Sequence, residues 1–286
     1  MRQTDHILMK QLLFFFFLII NFTLNAQYYY KDVIGTHETN NMMKIYRANK
    51  VVGVNLTGYD PDGTRTEDFF VEQVMIGNNK LKTTTRSGVT DESQLLSDFD
   101  EQSRIISTLD TSGSMVSTTT YTYDGTGKLS WTKSISSDTS QSINEVEEHK
   151  WFYTSTGTPE RMLRIKNSSD TTELRFVTDE SGNVTEEQSF RKGIAGETVY
   201  YYYDDKKRLT DVVRFNRRAG RLLPDYMFEY SSSNQVIQKI TVPPNNSDYL
   251  IWRFQYDARG LKIKEACYTR YKQMTGKIEY QYRFGS

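Results

Sequence analysis

The sequence predicts an all-β protein, a repetitive meander of antiparallel hairpins with about 18–20 strands in a single coiled or curved sheet, open or closed on itself. Three observations carry that prediction. A short turn unit recurs along the chain, apolar residues alternate with polar ones between the units, and long helical periodicity is absent beyond residue 26.

The unit is an aromatic strand end, a tight polar turn and a branched aliphatic residue opening the next strand. Its fullest copy is Tyr123-Asp124-Gly125-Thr126-Gly127-Lys128-Leu129. The same seven-residue frame fits Phe99 to Ile105, Tyr153 to Pro159, Thr178 to Val184, Tyr203 to Leu209 and Tyr230 to Val236. Copies at Tyr46 to Val51, Ile76 to Leu81 and Tyr256 to Leu261 read as one residue shorter, and Tyr282 supplies a last aromatic end. Successive copies begin 23 to 30 residues apart, which two strands of about seven residues and two turns fill. Intervening polar clusters, such as Thr111-Ser112-Gly113-Ser114 and Pro243-Pro244-Asn245-Asn246, mark the second turn of each step.

Turn chemistry explains the residue types. Asp124 can accept hydrogen bonds from backbone amides two residues on, and Gly127 can take the positive φ that closes the bend. Tyr123 and Leu129 then face each other across the hairpin. The same structural roles fall to Tyr203, Asp204 and Leu209, and to Tyr256, Asp257, Gly260 and Leu261.

Taken in chain order, the first 26 residues read as a signal peptide: Arg2 and Lys10, an apolar stretch from Leu12 to Ile20, and Leu24-Asn25-Ala26 before Gln27. Cleavage is expected after Ala26, with translation starting at Met1 or Met9. The stretch is too short for a transmembrane helix. Thr36 to Ala48, with Met42, Met43, Ile45 and Tyr46, fits a short helix or a strand and is assigned to strand. Beyond it, Leu163/Ile165, Leu174/Phe176, Val213/Phe215, Trp252/Phe254/Tyr256, Leu261/Ile263 and Ile278/Tyr280/Tyr282/Phe284 alternate as a buried face. Lys262/Lys264 and Lys277/Glu279/Gln281/Arg283 make the wet face. No Pro/Gly/Ser-rich linker interrupts the array, so residues 27–286 are read as one continuous repeat domain.

These units resemble the YD repeats of Rhs and teneurin-type proteins, whose pattern is YDxxGxL. Tyr123 to Leu129 matches throughout, Tyr203 to Leu209 carries Lys207 in place of Gly, and Tyr256-Asp257 and Gly260-Leu261 match with one residue missing. The resemblance implies a coiled β-sheet that encloses cargo or supports adhesion, yet no segment resembles a toxin domain or its processing site, and about nine units are few for a large shell.

The chemistry-bearing residues point away from catalysis. Lys+Arg and Asp+Glu are equal at 36 each, so no net field attracts nucleic acid. The single cysteine, Cys267, forbids an intramolecular disulfide and reads as a packing residue, and no cysteine follows the apolar stretch to carry a lipid. Asp60-Pro61-Asp62-Gly63-Thr64 mimics a phosphatase nucleophile loop but lacks the βαβ context, so it reads as a turn. Glu145, Glu147 and Glu148 beside His149 read as a charged strand edge facing water. Tyr28-Tyr29-Tyr30 and Tyr200 to Tyr203, if on strands, place alternate rings in the core and outside. Tyr200 and Tyr202 are the candidate ligand-binding residues, for a glycan or peptide.

The expectation is therefore an exported, non-enzymatic cell-envelope or surface protein, periplasmic, surface-exposed or secreted, acting as an interaction scaffold. Its partner would be a protein or polysaccharide of the envelope, with no cofactor, no metal, no nucleic acid, no lipid anchor and no transmembrane helix in the mature form. A glycan-binding module and an outer-membrane β-barrel are the alternatives. Strands of about seven residues count against the barrel, since the membrane needs roughly 9 to 11.

Overall fold

The computed structural model describes residues 27–88, 91–141, 143–243 and 248–286. The signal segment, its cleavage and its two candidate starts, together with the Asn245-Asn246 turn, lie outside the described residues.

Eighteen antiparallel strands form one sheet. They are β1 (Val51–Tyr59), β2 (Phe69–Ile76), β3 (Lys80–Ser87), β4 (Asp91–Phe99), β5 (Ile105–Ser112), β6 (Met115–Tyr123), β7 (Leu129–Asp138), β8 (Ile143–Tyr153) and β9 (Pro159–Lys166). They continue as β10 (Asp170–Thr178), β11 (Val184–Arg191), β12 (Ile194–Tyr203), β13 (Leu209–Asn216), β14 (Arg221–Tyr230), β15 (Val236–Thr241), β16 (Leu250–Tyr256), β17 (Lys262–Thr269) and β18 (Met274–Phe284). Each strand pairs with its sequence neighbours, and β18 returns to pair with β1 from Phe284 against Val51 to Lys277 against Tyr59. The sheet is thus a closed barrel with neither edge left open, the solution that removes edge-to-edge aggregation altogether.

The repeat turns all sit at one end of the barrel. In the seven copies from Phe99 to Tyr256, the residue after the strand end both donates its N–H to the carbonyl four residues on and accepts from the N–H three residues on, as in Asp124 with Lys128 at 2.8 Å and Gly127 at 2.9 Å; Tyr46 instead lies in the helix before β1 and the Ile76 turn is shorter. Gly127 has φ 86°, and Ser103, Lys207 and Asn234 take the same left-handed conformation in their copies. The 256 copy is not shortened: Asp257 bonds Leu261 and Gly260 by the same pattern, and Tyr256 pairs with Lys262. Its frame is seven residues, with Lys262 rather than Leu261 opening the strand. The Asp60 loop closes the same way, Asp60 N–H to Thr64 O at 2.9 Å and Gly63 N–H to Asp60 O at 2.9 Å, at the opposite end of the barrel.

Every full repeat turn is followed by a bulge. Tyr203 pairs with Leu209 but Tyr202 pairs with Asp211, so Thr210 is extra and the alternation of β13 shifts phase. Leu209 and Val212, three apart, are therefore both inward and buried. This phase shift corrects the expected buried face. Leu163, Ile165, Val213, Phe215 and Ile263 point outward, opposite inward Met162, Arg164, Val212 and Glu265. Strands run from six to eleven residues rather than about seven.

The segment before β1 is helical, not a strand. Tyr29–Ile34 forms a π-helical turn that continues into helix α1, Gly35–Ala48. Thr36, Asn40, Met43 and Tyr46, spaced by four, three and three, are its buried face. The segment lies inside the barrel, and that explains its conformation. A chain enclosed by a closed sheet meets no free strand edge, so its backbone groups must pair within the segment. Met43 and Tyr46 pack with Val54, Leu56, Val71, Leu81, Phe99, Ile105, Leu261 and Ile278 in the largest buried cluster.

Candidate functional site

Two places in the barrel combine chemistry-bearing residues: the lumen occupied by residues 27–48, and the outer wall that carries Tyr200 and Tyr202.

The bulge builds the lumen site. Three residues into each strand that follows a full repeat turn, the shifted phase aims a side chain inward: Thr108, Thr132, Met162, Glu187, Val212, Lys239 and Glu265. In sequence these positions carry no shared residue type, and they become legible only once the extra residue is counted. Several of them grip the plug. Glu187, fully buried, accepts from the Tyr28 and Tyr29 backbone N–H groups at 3.0 Å each and from the Tyr201 hydroxyl at 2.7 Å. Burial raises its pKa above the usual carboxylate range while these donors pull it down. Lys239 donates to the Tyr30 hydroxyl at 3.1 Å and lies over the Tyr226 and Phe228 rings. Burial, opposed by Glu38 on α1 and reinforced by Lys262, brings its pKa down to about 8.

A second anchor is ionic. His149 Nδ1 is 2.7 Å from Asp32 of the π-helical turn and its Nε2 is 2.9 Å from Glu147 on its own strand. Glu147 in turn accepts from Arg164 at 2.6 Å, and the Trp151 indole donates to Asp32 at 3.2 Å. Burial opposes protonation of His149, but the Asp32 and Glu147 carboxylates outweigh it and hold the imidazole up to about 9. Burial likewise works against ionised Glu147, and the His149 and Arg164 hydrogen bonds overcome it, bringing its pKa down to about 2. The reading of Glu145, Glu147 and Glu148 beside His149 as a water-facing edge is thereby corrected for Glu147 and His149, which β8 turns inward, while Glu148 on the opposite face bonds the Trp131 indole.

Tyr28, Tyr29 and Tyr30 are likewise not on a strand with half the rings exposed. They sit in the lumen, against His149, Tyr201 and Tyr226 respectively, with ring centroids 5.0, 5.4 and 5.1 Å apart. At the other end of α1, Arg47 donates to the carbonyls of Asn78, Asp100 and Glu101 and to the Ser103 hydroxyl, tying the helix to two turns of the rim. Asn40 accepts from the Ile105 N–H at 2.8 Å, and Tyr46 donates to Gln73 at 2.9 Å. The wall residues in these contacts all lie near the repeat-turn end, so the plug fills that half of the lumen.

The outer wall is mixed, with charged rows between exposed apolar side chains such as Leu109, Ile135, Val177 and Ile263. The outward row of β3 is Lys80, Lys82, Thr84 and Arg86, facing Asp98, Leu96, Gln94 and Glu92 of β4. On β10 and β11 the outward row includes Glu173, Arg175, Glu186 and Gln188. Outward aromatics are capped by arginines of neighbouring strands: Arg86 over Phe70, Arg161 over Phe152, Arg175 over Phe190 and Arg253 over Tyr268, at 4.0 to 5.2 Å. Tyr202 is 48 % exposed, opposite Asp211; Tyr200 is half-buried between Glu186 and Val213. Cys267 is buried beside Trp252 and Phe254, and burial pushes its thiol up to about 11.

No protein-family model matches the chain, and no characterised protein matches it in sequence. Among solved structures, it is similar to Tc toxin components. The crystal structure of TcdB2-TccC3-Cdc42 aligns at 15 % identity over 75 % of this chain and 11 % of that one, with a TM-score of 0.33. The Photorhabdus luminescens Tc holotoxin pore aligns at 14 % over 75 % and 11 %, TM-score 0.33. A porin-like protein from Bacteroides uniformis aligns at 10 % identity over 82 % of this chain and 97 % of that one, TM-score 0.39. This chain therefore spans about a ninth of the toxin chains it matches.

Proposed function

We propose that the chain is an exported, non-enzymatic barrel that works in an aqueous part of the cell envelope as an interaction scaffold, with residues 27–48 as its resident plug. The observation that carries this reading is the outward row of β3, where Lys80, Lys82 and Arg86 occupy three of four positions along the whole strand. A lipid-facing barrel needs an apolar outer band about 25 Å tall, and a cation at the bilayer midplane costs about 2–4 kcal/mol. On this strand buried Leu81 and Thr83 turn inward and the cations turn out.

An outer-membrane barrel is the second reading. Closure of an even number of antiparallel strands favours it, as do strands of ten and eleven residues such as β7 and β8. Washing host membranes with high salt and then carbonate separates the two. Release without detergent is expected for the scaffold; retention until detergent is added would overturn it in favour of the membrane barrel.

A further inference from the structure

One sector of the outer wall sets exposed apolar side chains beside basic hairpin tips. On β13 and β14, Phe215 is 49 % exposed, and Leu222 and Met227 are also exposed. With Tyr202 they form a continuous surface, because Phe215 pairs directly with Leu222, and Tyr202 and Met227 flank Asp211. Four outward rings elsewhere carry an arginine cap; over Tyr202 and Phe215 no such cap exists among the described residues.

The hairpin tips at the edge of this sector are basic. Lys192 and Gly193, with φ 50° and 78°, make the two-residue turn between β11 and β12. Arg217, Arg218 and Arg221 surround the turn between β13 and β14. Lys192 and these three arginines are exposed and have no ion-pair partner among the described residues, whereas neighbouring Arg191 is paired with Asp170 at 2.9 Å. The carboxylates of the sector, Glu186, Asp211 and Glu229, lie toward the repeat-turn end, away from these tips. Protruding apolar side chains beside unpaired cations are what an interfacial protein presents to an anionic lipid surface: the cations meet phosphates while Phe215 and Leu222 enter the headgroup boundary.

We infer that the β11–β14 tips and the adjoining wall dock the barrel, reversibly and without insertion, on an anionic phospholipid surface. This rests on the reading of a water-facing barrel and gives that scaffold its attachment. A polybasic contact contributes about 1 kcal/mol per cation near such a surface, about a factor of five in partitioning each.

The test is sedimentation of the purified mature chain with vesicles of phosphatidylcholine alone and of phosphatidylcholine mixed with phosphatidylglycerol. Binding is expected to the mixed vesicles only, to fall as salt is raised, and to be unaffected by inorganic phosphate at equal ionic strength. The double variant Arg217→Ala, Arg218→Ala should lose roughly 25-fold in partitioning, and Phe215→Asn should weaken binding while leaving the salt dependence in place. Both sites are exposed, and an unchanged circular dichroism melt shows that each variant folds. No binding to mixed vesicles, binding that both variants retain, or retention instead on polysaccharide through Tyr200 and Tyr202 overturns the inference. Carbonate extraction decides the water-facing reading separately, since a docked barrel washes off and an integral one does not.

Discussion

The hydroxyl of Tyr123 donates to the backbone carbonyl of Ile105 at 2.8 Å, so the tyrosine that closes one repeat is latched to the residue that opens a strand in the repeat before it. The relationship recurs around the barrel as Tyr153 to Leu129, Tyr203 to Val184, Tyr230 to Leu209, Tyr256 to Val236 and Tyr282 to Lys262, at 2.7 to 3.0 Å. The conserved geometry gives the tyrosine a purpose that a phenylalanine could not serve: it satisfies a carbonyl beside the bulge and fixes the spacing of successive hairpins. Removing one hydroxyl, by Tyr153→Phe, should cost about 1 kcal/mol with the ring packing kept. Tyr153→Ala should cost about 3 kcal/mol or more. Urea unfolding of the two variants checks the difference.

The turn itself predicts effects of opposite sign. Gly127 sits at φ 86°, where a side chain is strained, so Gly127→Ala should lose about 1–2 kcal/mol. Lys207 occupies the equivalent place at φ 60° with a side chain already present. Lys207→Gly should therefore raise the melting temperature, despite the greater freedom of glycine in the unfolded chain, and scanning calorimetry of both variants tests the pair.

Glu187 is the hinge between wall and plug. In Glu187→Ala the Tyr28 and Tyr29 amides and the Tyr201 hydroxyl lose their acceptor in a buried site, a cost of about 1–3 kcal/mol for each group left unsatisfied. Amide hydrogen exchange should accelerate in residues 28–34 far more than in β18. Glu187→Gln, which keeps an acceptor oxygen, should show a smaller change.

The ion pair between plug and wall makes stability depend on pH. The folded pKa of His149, raised to about 9 against 6.5 in the unfolded chain, makes its contribution fully present below pH 6.5 and lost as pH rises through 9. Across that window the loss approaches about 3 kcal/mol. Glu147, depressed to about 2, contributes above its ordinary range near 4.5 and loses that contribution as pH falls toward 2. Equilibrium unfolding at pH 6.5, 8 and 9.5 should show the alkaline loss in the native sequence and a flatter profile in His149→Gln.

The repeat, the number of strands and their antiparallel order were legible because turn chemistry is local: Asp124, Gly127 and their counterparts announce each bend without reference to the rest of the chain. Closure was not, since it depends on β18 meeting β1 more than two hundred residues away. The direction of several side chains was hidden by the bulge. One extra residue, Thr210 in β13, moves Phe215 from the expected core to the outside and brings Val212 in. The helix was missed for a related reason: Met42, Met43, Ile45 and Tyr46 allow strand or helix locally, and only enclosure by a closed sheet decides between them. The lumen anchors Glu187 and His149 follow from both omissions, being inward only by virtue of the barrel and partnered only by the plug.

The most direct measurement of the account is cysteine scanning along β12 in detergent-free buffer, in a Cys267→Ser background, with a membrane-impermeant thiol reagent. Cysteine at positions 198, 200 and 202 should react rapidly, because Thr198, Tyr200 and Tyr202 face outward and the proposed scaffold exposes that wall to water. Cysteine at 199 and 201 should resist, because Val199 and Tyr201 are buried on the plug side. A protein that reacts at 199 and 201 while 198, 200 and 202 stay protected, or that holds together only in detergent, would contradict a closed barrel with its apolar face inward.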